Sequence, residues 1–143
     1  MGIKLDPGRV YKMAPHPYSA LATLIALLVY AWTMHLVGRA RTRYGISAPA
    51  VTGHEQFERC FRVQMNTLEQ IVLLLPCLWL CAFWVGELYA GIGGLIWSIG
   101  RIIYALGYMS DPKKREIGFY LTALPTIAMF AADVFSVIRF LLS

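Results

Sequence analysis

Residues 55–86 read EQFERCFRVQMNTLEQIVLLLPCLWLCAFWVG, and two halves of different character meet there with no breaker between them. From Thr67 to Gly86 the chain is almost wholly apolar over about 20 residues, the length at which a helix rising 1.5 Å per residue crosses the hydrocarbon core of a bilayer. From Glu55 to Asn66 the pattern is polar and helical. One helix is therefore expected to start at Glu55, stand well clear of the membrane surface, and continue through it.

Three further stretches meet the same demand on length and apolarity: 18–38, 89–108 and 117–142. The whole chain agrees, with 58% hydrophobic and 15% charged residues in 143 and a mean hydropathy of +0.57. That is too much apolar surface for a soluble fold of this size. The expectation is one all-α domain over residues 1–143, an integral membrane bundle of four helices. The first span is too long for the core of a signal peptide and lacks a clear cleavage site, so it reads as retained. Only a few residues around Glu87 join the second and third spans, which forces an antiparallel hairpin. MSDPKKRE (109–116) joins the third and fourth. There Asp111 reads as an N-cap with Pro112 at the first helical position, which puts Lys113, Lys114 and Arg115 in the opening turn of the fourth helix. Pro76 and Pro125 fall inside spans and are expected to kink them.

Basic residues tend to stay in the cytoplasm. The first and third connections share one side and carry Arg39, Arg41, Arg43, Arg59 and Arg62, then Lys113, Lys114 and Arg115. Lys4, Arg9, Lys12 and Arg139 lie on the other side, so both termini are expected to face away from the cytoplasm. This bias, with attraction to anionic lipid, accounts for the net charge of +5. No basic stripe with interleaved aromatics is present, which argues against nucleic-acid binding. Cys60, Cys77 and Cys81 lack paired CxxC spacing and read as packing thiols, and His16, His35 and His54 form no ligand set; no metal is expected.

Polar groups at membrane depth are costly and call for a reason. On the second helix Arg59, Arg62, Asn66 and Glu69 lie three, four and three residues apart, on one stripe, with Gln64 nearby. Arg101, Tyr104 and Tyr108 repeat the arrangement on the third helix, and Arg115 follows at the head of the fourth. These groups either satisfy one another as interhelical ion pairs or face a ligand. Cations outnumber the acids that point the same way, which suits a small anionic ligand, and deep-lying Glu69 suits an ammonium group. Carboxylates with one ammonium describe an amino-acid-like or peptide-like molecule. Asp133, in the fourth span, has no evident partner, because Arg139 six residues on lies on another face.

The run FERCFRVQMNTLE (57–69) resembles the signature of the MAPEG family, the membrane-associated proteins in eicosanoid and glutathione metabolism. GRIIYALGY (100–108), followed by Pro112 and Arg115, resembles its second signature, on the microsomal glutathione transferase and leukotriene C4 synthase branch. The likeness covers roughly Arg39 to Tyr120, and two ordered motifs carry more than either alone. It implies a homotrimer of twelve helices with glutathione, the co-substrate, bent into each subunit interface. The pocket would lie between helices one and two of one subunit and helices two to four of its neighbour. Arg62, Gln64, Asn66 and Glu69 would hold the peptide, Tyr104 and Tyr108 would line the pocket, and Arg101 would support it. Arg115 would be catalytic, stabilising the thiolate. A first-helix arginine also contributes in relatives; Arg41 matches best, with Arg43 close behind and Arg39 in the same cluster.

The partner substrate would be a lipophilic electrophile or a lipid hydroperoxide arriving from the membrane lipid. Gln70 stands where the eicosanoid branch commonly has tyrosine, which favours general conjugation or peroxidase activity over leukotriene synthesis. Two other functions compete. A lipid-binding accessory branch of the family lacks the arginine at the head of helix four, and Arg115 is present here. A small four-span multidrug transporter is expected to carry a carboxylate in its first span, and residues 18–38 contain none.

Overall fold

The computed structural model describes residues 16–143. Four long helices follow one another: α1 (Pro17–Tyr44), α2 (Glu55–Trp84), α3 (Glu87–Ser110) and α4 (Glu116–Leu141), with a 3-10 turn over Pro112–Arg115 ahead of α4. The described residues contain no strand. All four helices are long and apolar enough to span a membrane. Even α3, with 24 residues, reaches about 36 Å at the α-helical rise. The side of the charge count that rests on Lys4, Arg9 and Lys12 lies outside the described residues.

The absence of a breaker after Glu55 has the expected effect: α2 runs unbroken for 30 residues and passes through Pro76. His54 caps its start, with Nδ1 accepting from the Gln56 backbone N–H at 3.2 Å. α1 ends where Gly45 takes up the left-handed conformation at φ 66°, a common helix stop. At the opposite end Glu87, the first residue of α3, accepts from the Tyr18 backbone N–H at 2.7 Å. That carboxylate satisfies a free donor in the first turn of α1, which has no acidic residue of its own there.

α3 touches each of the other three helices. Its small residues permit this: Gly91 lies against Tyr18, Gly94 against Ala22 and Leu78, and Gly93 against Met129. Small residues let helix backbones approach closely where lipid gives no hydrophobic drive to association. α1 presents a matching stripe of buried Ala22, Ala26, Val29, Thr33, Val37 and Ala40. Buried hydroxyls bond back to their own helices, as Thr67 does to Val63 O and Ser98 to Gly94 O, so they cost little in an apolar interior. The outward faces carry large apolar side chains such as Leu28, Val72, Ile96, Ile127 and Phe130. That is the inverse of a soluble bundle and the arrangement a bilayer demands.

One local expectation needs correcting. Lys113, Lys114 and Arg115 do not occupy the first turn of the α-helix; they form a separate 3-10 turn, and α4 begins at Glu116. Asp111 does cap the turn, its Oδ1 accepting from the Lys113 N–H at 3.0 Å. Because Asp111 alone separates α3 from the turn, the chain reverses within a few residues, and the tighter 3-10 winding accommodates that.

Candidate active site

A recess of about 490 Å³ opens between α2, α3 and the start of α4. α2 contributes Asn66, Glu69 and Gln70; α3 contributes Arg101 and Tyr104; Arg115, Glu116, Phe119 and Tyr120 close the third side. These residues come from three helices because α2, α3 and α4 all pack on one another.

Arg101 is the most deeply placed charge, only 1% exposed. Its Nε donates to Thr67 Oγ1 at 3.2 Å, and its guanidinium lies 4.1 Å from the centre of the Tyr104 ring. Its Nη2 is buried without a partner. A buried, unsatisfied guanidinium nitrogen beside a recess is costly in the empty protein and is a ready donor to an anion. Asn66 Nδ2 donates to Tyr104 Oη at 2.5 Å, which fixes the phenol and leaves its hydrogen free to donate.

Arg115 sits at the mouth. Its guanidinium lies 5.6 Å from the centre of the Tyr108 ring, and Tyr108 in turn lies 5.7 Å from Tyr104. Two close approaches hold this end of the site. A Cβ at Gly107 would lie 2.5 Å from Lys114 O, so glycine lets the turn that carries Arg115 rest directly on α3. A Cβ at Gly118 would collide with the backbone of Tyr104. Gly118→Val is therefore expected to push α4 from α3, shift Tyr104 off Asn66, and destabilise the bundle by about 1–3 kcal/mol, read as a lower thermal midpoint in detergent. An unchanged midpoint would show that the two helices are free to part here.

Arg59 has a different task. It donates to the carbonyls of Ser110 at 3.0 Å and Met109 at 3.3 Å and pairs with Glu55, so it caps the end of α3 and is not free for a ligand. Among the described residues the only other ion pair is His16 with Glu87. Arg62, Glu69, Arg101, Arg115 and Glu116 therefore do not cancel one another as ion pairs, and the ligand reading of the polar stripes gains over the structural one.

A model of the MAPEG family matches residues 19–135. The chain belongs to the MAPEG family. Mouse microsomal glutathione S-transferase 2 is 36% identical over 122 residues, which cover 78% of this chain and 81% of that one. Guinea-pig leukotriene C4 synthase is 34% identical over 104 residues, 73% and 69% of the two chains. An uncharacterised protein of Synechocystis sp. is 43% identical over 121 residues, 85% and 88%. The resemblance read from the two motifs is thus borne out, as is the all-helical membrane architecture.

Within this MAPEG chain the expected residues divide. Asn66, Glu69, Arg101, Tyr104 and Arg115 converge on one recess, and Tyr108 stands beside Arg115. Arg62 is exposed and does not line the recess, although it lies two turns before Glu69 on the same face of α2. Gln64 turns the other way and donates to Tyr30 Oη on α1 at 3.1 Å. Arg41 is engaged by its own connection, donating to Ala50 O at 2.8 Å and resting 4.8 Å from the Phe57 ring centre. Neither Gln64 nor Arg41 reaches the recess of the same subunit. Asp133 is buried, and neither carboxylate oxygen has a partner among the described residues. The sequence reading missed Glu116, Phe119 and Tyr120 as lining residues, although their spacing of three and four from Glu116 puts them on one helical face.

Proposed function

We propose that this MAPEG protein is a membrane-bound glutathione transferase that activates the glutathione thiolate for attack on lipophilic electrophiles, and that the same thiolate reduces lipid hydroperoxides. The observation that carries this reading is the pairing of a buried, unsatisfied Arg101 with an unpaired Arg115 in one recess that also holds Glu69. Glutathione offers two carboxylates, one ammonium and one thiol. Arg101 and Arg62 take carboxylates, Glu69 takes the ammonium, and Asn66 and Tyr104 bond the peptide.

A thiol with a pKa near 8.5 is mostly protonated at neutral pH, and each unit by which the site lowers that value represents about 1.4 kcal/mol of preference for the thiolate. Arg115 supplies a fixed cation where the sulfur would sit. Phe119 and Tyr120 are exposed on α4 at the edge of the recess, and they give an apolar electrophile a path from the bilayer. The relatives named as a glutathione S-transferase and as leukotriene C4 synthase support this chemistry, and Gln70 in the recess wall favours general conjugation over the leukotriene reaction.

The active form in this reading is a homotrimer with its first and third connections on the cytoplasmic side. Arg62 and Glu69 are both exposed on the single subunit, and a charge facing lipid is intolerable at depth. A second copy covers them and completes the site, and contacts from Gln64 and from Arg41 of α1 belong to that shared interface. Native mass spectrometry should show a trimer; a monomer that still turns over substrate would contradict a shared site. Arg62→Ala and Glu69→Ala should each weaken glutathione binding about tenfold or more while leaving the trimer intact, since each strands a charge on the ligand. Titration of the purified protein with glutathione, followed by ultraviolet absorbance of the bound thiolate, tests the whole reading. Absence of binding at millimolar glutathione would sink it.

A further inference from the structure

Two hollows lie in line along the seam between α1 and α3, apart from the recess that holds Arg101 and Arg115. The deeper one, of about 240 Å³, is lined only by Ile25, Leu28, Val29, Trp32 and Ile102. The other, of about 330 Å³, has Leu36, Arg39 and Arg43 of α1 on one side and Met109 of α3 on the other, with Cys60 and Gln56 of α2 behind. Both helices run in the same direction. The register set by Gly91 against Tyr18 and Gly94 against Ala22 continues along the seam, so that Val29 and Ile102 line one hollow and Leu36 and Met109 the other.

Ile25, Val29, Trp32, Leu36, Arg39 and Arg43 succeed one another at spacings of four, three, four, three and four residues. They form one straight face of α1. It is apolar for its first four members and doubly cationic at its end, and Ile25 to Arg39 measures about 21 Å along the helix. Arg39 and Arg43 are exposed, and neither takes part in an ion pair among the described residues. They stand just beyond the end of the first apolar run at Gly38, where a helix that leaves the hydrocarbon core meets the lipid headgroups.

We propose that the α1–α3 seam binds an anionic phospholipid of the adjoining leaflet, one acyl chain lying in the slot beside Trp32 and Ile102 and the headgroup phosphate resting on Arg39 and Arg43. An amphiphile with a long tail and an anionic head matches the length and polarity of this face end to end. Two guanidinium groups one helical turn apart suit a phosphate, whose oxygens accept paired hydrogen bonds. A zwitterionic lipid fits the slot equally well but gains less from the arginines.

The test is native mass spectrometry of the full chain in detergent, titrated with dioleoyl phosphatidylglycerol and dioleoyl phosphatidylcholine, whose tails are identical. The native protein should bind the phosphatidylglycerol about fivefold more tightly or better. Arg39→Gln with Arg43→Gln should bring it down to the level of phosphatidylcholine, while Lys113→Gln with Lys114→Gln, which removes the same charge elsewhere, should leave the preference in place. Ile102→Trp, which fills the slot, should weaken both lipids alike. Equal affinity of the native protein for the two lipids overturns the proposal, as does a preference that survives the double arginine variant. Loss of oligomeric mass in that double variant would assign the seam to a second copy of the chain and overturn it as well.

Discussion

Arg115→Ala should retain much of its affinity for glutathione and lose the thiolate. Arg115 stands at the mouth of the recess against Tyr108, while Arg101, Asn66 and Tyr104 lie deeper and, in the proposed mode of binding, hold the peptide without it. In the proposed mechanism, removing the guanidinium takes away charge stabilisation that belongs to the ionised sulfur. At least about 1.4 kcal/mol is at stake, so conjugation at neutral pH should slow tenfold or more. The ultraviolet band of the bound thiolate should vanish with it. The sign of the pH effect follows: as pH rises toward and past the free thiol's value near 8.5, bulk hydroxide supplies the ionisation, and the variant should regain part of its rate. Arg115→Lys should fall between, since lysine keeps the charge without the planar fork. A pH–rate profile for Arg115→Ala that overlays the native one would remove Arg115 from the chemistry and leave a glutathione- or lipid-binding protein.

Arg101→Met should have the opposite signature, with lost binding in a protein that is no less stable. The residues around Arg101 do not depend on it. Thr67 already donates to Val63 O, and Tyr104 already accepts from Asn66. What disappears is a buried guanidinium whose Nη2 has no partner in the empty site, and replacing such a group by an apolar chain of similar length is neutral or stabilising. The carboxylate it would have met is then left without that counter-charge. A loss of about 3 kcal/mol is typical for that, which is about a hundredfold in the dissociation constant. Calorimetric titration and thermal unfolding in detergent would separate the two effects. A variant that melts early yet binds glutathione normally would make Arg101 a structural residue only.

The helices were legible because their signal is long and one-dimensional. The unbroken run from Glu55 into the apolar span gave α2 its full length, and the shortness of the Glu87 connection gave the hairpin. Helical period also brought Asn66, Glu69, Arg101 and Tyr104 toward one place. Helical period alone does not bring Gln64 there, because that residue lies two positions from Asn66 and hence about 200° around the helix, facing Tyr30 on α1. It could not choose among Arg39, Arg41 and Arg43, since the choice depends on where the connection folds back; the carbonyl of Ala50 comes to Arg41. Tyr120 and Phe119 were readable from their spacing to Glu116 but sit in an apolar stretch, where an aromatic residue carries no distinct signal. The 3-10 turn before α4 escaped notice because capping residues announce that a helix begins without giving its pitch.

The position of α3 bears on how the protein is made. α1 and α2 emerge from the ribosome first, yet the alanine stripe of α1 and the inner face of α2 both find packing partners on the third helix, at Gly91 and Gly94. Two helices released into the bilayer have only each other, and Arg59 then has no helix end to cap. Synthesis of α3 supplies the shared surface, and α4 can close over it only afterwards, through Gly118. Completion of the bundle is thus expected only once α3 has been made, and a nascent chain halted before Ser110 would leave two inserted helices that pack on each other but lack their common neighbour.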